Sequence, residues 1–87
     1  MVRVRGRREE MYILLVHYTG SGIEEKVRRA IGTHPYKIKS KTLRRHDCEM
    51  AIEVRVKKND MRFVDVLRDE EGITDLTIVQ YSGDYID

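Results

Sequence analysis

The chain has 87 residues, 40% hydrophobic and 37% charged, with six glycines and one proline, which fits one small globular domain and leaves no length for a second. The apolar run Ile13-Leu14-Leu15-Val16 falls far short of the roughly 20 residues that cross a bilayer, and the single Cys48 excludes both an intramolecular disulfide framework and a Cys-x-x-Cys redox or zinc motif. The formal net charge of +2 sits at the start, where Arg3, Arg5, Arg7 and Arg8 outnumber Glu9 and Glu10, so the rest of the chain is neutral.

Residues 1–10 read as a flexible basic tail, too poor in apolar surface to order itself, and residues 11–87 as the folded domain. The arginines have the charge of a secretory leader, but neither an adequate apolar segment nor a small-residue cleavage site follows them. With one cysteine and no membrane segment, a soluble protein of the reducing cytoplasm is expected.

Residues 11–18, Met-Tyr-Ile-Leu-Leu-Val-His-Tyr, are apolar on both alternating rows, as suits a central strand. Thr19-Gly20-Ser21-Gly22 breaks the strand, and Ser21 followed by Glu24 has the spacing of a capping box. The helix it would open carries Ile23, Val27, Ala30 and Ile31 on one face and the i,i+4 pairs Glu24/Arg28 and Glu25/Arg29 on the other. Gly32 and Pro35 end it. Residues 36–43 alternate, placing Lys37, Lys39 and Lys41 on one face of an edge strand. Residues 48–57 alternate again, with Cys48, Met50, Ile52, Val54 and Val56 inward and Glu49 and Glu53 facing those lysines across a hairpin. Asn59 or Asp60 would cap a second helix with the stripe Phe63, Val64 and Leu67, ending near Gly72. Residues 76–81 form a last strand.

The order β-α-β-β-α-β predicts an α+β fold of the ferredoxin-like type, a four-stranded antiparallel sheet with both helices on one face. The other face would carry one of the two apolar rows of the first strand, either Tyr12, Leu14, Val16 and Tyr18 or Met11, Ile13, Leu15 and His17, beside part of the last strand. Such a patch invites a second subunit.

Function has to be read from a site, because this fold hosts many. An acylphosphatase needs an arginine in the loop after the first strand, and residues 17–22 have none. A heavy-metal domain needs paired thiolates there, and an RNA recognition motif needs aromatic platforms that residues 48–57 lack. His17, His34 and His46 with Asp47 and Cys48 match no recurrent ligand pattern. Ser21 near His17 lacks a third partner for nucleophilic catalysis. No enzyme activity, metal or cofactor is expected. What remains is a small-molecule sensor or regulatory domain of the ACT kind, whose ligand usually sits near the loop after the first strand at a subunit interface. Thr19, Gly20, Ser21 and Gly22 are the candidate ligand-binding residues, since small residues let backbone N–H groups approach a small anion at a helix N-terminus. A tight, well-capped turn would need the same residues.

Three segments, Val16-His17-Tyr18-Thr19-Gly20, residues 51–57 (Ala-Ile-Glu-Val-Arg-Val-Lys) and residues 72–85 from Gly72 to Tyr85, together resemble the C-terminal ACT-like cytosolic domain of a family of uncharacterised prokaryotic membrane proteins. That domain is similar to the one that closes magnesium-transport-associated proteins of the MgtC kind. The resemblance spans roughly residues 11–85 and brings no catalytic residues with it. It implies membrane helices N-terminal to Met1, with the arginines as juxtamembrane positive charges, although no membrane segment is present here.

The expected function is therefore a non-catalytic regulatory or ligand-sensing domain that forms a homodimer or larger assembly. Leu14, Val16, Val79 and Tyr81 on the open sheet face are the expected interface, in preference to the lysine-bearing edge, where like charges would repel unless Glu49 and Glu53 intervene. The alternatives are a nucleic-acid-binding module using the basic tail and the lysine strand, and a structural adaptor without a ligand.

Overall fold

In the computed structural model, which describes residues 9–57 and 60–81, the chain runs β1 (Glu9–Tyr18), α1 (Ile23–Ile31), β2 (Tyr36–Leu43), β3 (Cys48–Lys57), α2 (Arg62–Arg68) and β4 (Ile73–Tyr81). The strands form one antiparallel sheet in the order β2-β3-β1-β4. This is the expected α+β, ferredoxin-like arrangement, with β1 and β3 central. The strand starts at Glu9, two residues before the expected start of the domain at residue 11; the arginines at 3, 5, 7 and 8 lie outside the described residues.

The phase of β3 sets the core. Met50, Ile52, Val54 and Val56 are buried, and β1 pairs with β3 so that Leu14 lies opposite Ile52, Val16 opposite Met50 and Tyr12 opposite Val54. Directly opposed residues share a face, so the row Tyr12, Leu14, Val16 and Tyr18 points toward the helices. Ile23, Val27 and Ile31 of α1 and Phe63 and Leu67 of α2 close over it, with Val64, Leu76 and Ile78 partly buried at the margin. Each fully buried aliphatic side chain contributes about 1.5–3 kcal/mol.

β4 begins at Ile73, three residues before the expected start of the last strand, and two further local features differ from the sequence expectation. The register of β2 on β3 shifts between Ile38 and Ser40, a bulge that takes Lys39 out of the pairing. Beyond the bulge the alternation inverts: Lys41 lies opposite the buried Met50 and so faces the helices, whereas Lys37 lies opposite Glu53 on the open face. The three lysines therefore do not form one stripe.

The second difference is at the helix starts. Gly22, at φ 80°, occupies the N-cap of α1, and no side chain caps the helix. The capping box of Ser21 and Glu24 does not form. Met61 occupies the N-cap of α2, while Asp60 is bonded instead by Arg62 at 2.9 Å; Asn59 lies outside the described residues. On α1 the expected i,i+4 pairs are replaced by Glu25 with Arg28 at 3.0 Å and by Glu24 with Lys41 of β2.

Candidate functional site

A cleft of about 420 Å³ opens where the end of β1, the first turn of α1, the second half of β2 and the start of β3 meet. Gly20, Ser21 and Gly22 form one wall, with Glu24, Glu25 and Arg28 of α1 above them and Lys41, Leu43 and Cys48 across from them. Thr19, the fourth expected loop residue, does not line it: its N–H donates to the Gly72 carbonyl at 2.8 Å, tying the loop to the turn before β4. Gly72 permits that approach. It has φ 104°, and a Cβ there would lie 2.6 Å from Cδ1 of Ile23.

The wall of small residues is open. Cβ atoms built at Gly20 and Gly22 would meet nothing within 4 Å, and the first-turn N–H groups of α1 have no partner within the helix and no side-chain cap.

Charges around the cleft are paired with one another. Lys41 grips the Glu24 carboxylate, which also accepts a hydrogen bond from the Tyr18 hydroxyl at 3.3 Å. The Lys41 bond holds the Glu24 carboxyl below the usual carboxylate range. Burial, reinforced by the negative charge of Glu24 and by Cys48, pushes the Tyr18 hydroxyl up to about 12. The remaining cation, Arg28, is bonded to Glu25 at 3.0 Å. The site thus offers two cations, two carboxylates and uncapped helix N–H groups around a polar cleft, and Arg28 can exchange the exposed Glu25, and Lys41 the half-buried Glu24, for an incoming anion. Lys41 was legible only as an edge lysine, because its place in the cleft depends on the bulge at Lys39.

The expected interface residues separate. Leu14 and Val16 are buried beneath the helices and cannot form an open-face contact, because the register with β3 turns their row inward. Val79 does lie on the open face, opposite Ile13 and 48% exposed. Tyr81 pairs with Met11 at the end of β4, and its side chain lies outside the described residues. The open face presents the other row of β1, Met11, Ile13, Leu15 and His17, all half-buried, with Ala51 and Thr77 opposite Leu15.

The histidines occupy separate places. His17 lies between Glu49 at 3.2 Å from Nε2 and Asp75 at 3.7 Å from Nδ1, so the two carboxylates approach different ring nitrogens. His34 packs against Phe63 with ring centroids 5.2 Å apart, and His46 is exposed between β2 and β3. Among the described residues no group of three or more His, Cys, Asp or Glu side chains is placed to hold a metal ion. No described helix is long and apolar enough to cross a membrane. No family model and no curated protein matches the chain.

Proposed function

We propose that the chain is a non-catalytic, cytoplasmic regulatory domain that binds a small anionic molecule at the β1–α1 loop and self-associates. The observation that carries this reading is the cleft beside Gly20, Ser21 and Gly22. There an uncapped helix N-terminus, Lys41 and Arg28 converge on a space large enough for a small metabolite. The ferredoxin-like fold and the resemblance of residues 11–85 to an ACT-like cytosolic domain support the same reading. Its rival, a nucleic-acid-binding module, loses its lysine stripe: Lys41 is on the helix side of the sheet with Glu24, and Lys39 is 3.6 Å from Glu53.

The reading is tested by thermal shift with inorganic phosphate and small mono- and dicarboxylates. A ligand at 100 times its Kd stabilises the fold by about 2.7 kcal/mol. Ser21→Glu, an exposed change that places a carboxylate at the cleft wall, is expected to abolish the shift while leaving the unliganded melting temperature within a degree or two. Absence of any shift, together with no copurifying small molecule in native mass spectrometry, would refute it.

A further inference from the structure

Edge strand β2 has an unusual exposure. All eight of its residues are exposed, including Tyr36, Ile38 and Leu43 at 38%, 41% and 70%. Pairing with β3 puts these three on the helix side of the sheet, opposite Val54, Ile52 and Cys48. As the terminal strand in the order β2-β3-β1-β4, β2 also leaves one backbone edge unpaired among the described residues.

Lysines and bulges on an edge strand usually prevent pairing. Here the bulge makes the strand self-complementary. From residue 36 to 43 the side chains face helix, open, helix, open, then open, helix, open, helix, because the register shift repeats the open face at Lys39 and Ser40. That pattern reads the same in both directions about a point between residues 39 and 40. An unbulged alternating strand would match faces only in registers centred on a residue, and those near its middle set lysine on lysine: Lys37 on Lys39, Lys39 on Lys39 together with Lys37 on Lys41, or Lys39 on Lys41.

We infer that β2 pairs antiparallel with β2 of a second copy of this chain about a two-fold axis between Lys39 and Ser40, joining the two sheets into one of eight strands. In this register Tyr36 lies opposite Leu43 of the partner subunit, Lys37 opposite its Thr42, Ile38 opposite its Lys41 and Lys39 opposite its Ser40. No lysine faces its symmetry mate, Lys39 and Lys41 already have Glu53 and Glu24, and the exposed Tyr36 and Leu43 cover one another. Tyr36 of the partner subunit is thereby set beside Leu43 at the rim of the cleft. The inference rests on the self-association part of the proposed function and names the surface that carries it.

The test uses the full chain in a Cys48→Ser background. Tyr36 and Leu43 are about 23 Å apart along an extended strand, so Tyr36→Cys/Leu43→Cys can form its disulfide only between chains. Oxidation at micromolar concentration is expected to give a covalent dimer on a non-reducing gel. Lys37→Cys/Leu43→Cys, whose positions face opposite sides, is expected to remain monomeric on the same gel. By light scattering, Ile38→Lys, which sets one lysine opposite each Lys41 across the two-fold, is expected to weaken the dimer at least tenfold, and Val79→Lys on the open face to leave it unchanged. A dimer that the first cysteine pair does not capture, or that Val79→Lys disrupts and Ile38→Lys does not, would overturn the edge pairing while leaving self-association standing. A monomer throughout would overturn both, and ligand-induced thermal shifts would still test the cleft.

Discussion

Tyr18 links the core to the cleft. Its ring is buried at the end of β1 while its hydroxyl donates to Glu24 at the cleft wall, so ionising it would place a second negative charge beside that carboxylate in a desolvated position. Its folded pKa, about 12, lies above the ordinary value of 10.0. A group with a raised folded pKa contributes stability that is fully present below its unfolded pKa and is lost as pH rises through the folded one. The wild-type melting temperature is therefore expected to fall between pH 10 and 12 more steeply than that of Tyr18→Phe, whose remaining tyrosines still titrate. Calorimetry across that interval checks it, and parallel curves would refute it. The same neighbourhood marks where local sequence reasoning failed. Ser21 and Glu24 have capping-box spacing, but Glu24 is drawn to Lys41, 17 positions along the chain, and Gly22 rather than Ser21 starts the helix. A local motif cannot reveal a competing partner from another strand.

The elements themselves were legible, because their periodicities are distinct. The alternation of residues 48–57 gave the buried row of β3 correctly, and the stripes of both helices are those observed. β1 was ambiguous because both of its rows are apolar. Either could face the helices until the register placed Leu14 against Ile52 and Ile13 against Glu53. The bulge in β2 was invisible, since Lys39-Ser40-Lys41 continues a regular alternation in sequence. Its effect nevertheless decides which lysine enters the cleft. The assignment of the β1 rows has a measurable consequence. Leu14→Ala, inside the core, is expected to destabilise the fold by about 3 kcal/mol, within the range for buried leucine truncations. Leu15→Ala, half-buried on the open face, is expected to lose about 1 kcal/mol. Denaturant titration checks both, and a reversed order would mean that β1 is turned over.

For the whole molecule, the decisive feature is how little lies beside the sheet. A domain of this size buries only about 60% of the surface that its unfolded chain exposes, and two helices of nine and seven residues cover one face but leave every residue of β2 exposed. The proposed joining of two copies along β2 would pair its outer backbone edge and shield Tyr36, Ile38 and Leu43, and part of the fold's stability would then reside in the assembly. Unfolding would then be bimolecular in reverse. Each tenfold rise in protein concentration above the dimer Kd adds about 1.4 kcal/mol per dimer, or half that per chain. For an 87-residue chain this corresponds to a rise of about 3–5 °C in melting temperature. Ile38→Lys, which brings lysines together across the two-fold, is expected to reach a given melting temperature only at a concentration at least ~tenfold above that of the wild type. Thermal melts at 2, 20 and 200 μM, chosen as ~tenfold steps, distinguish the cases: a flat wild-type series would remove the assembly from the stability of the fold, and an Ile38→Lys series that rises at the same concentrations as the wild type would place the contact away from β2.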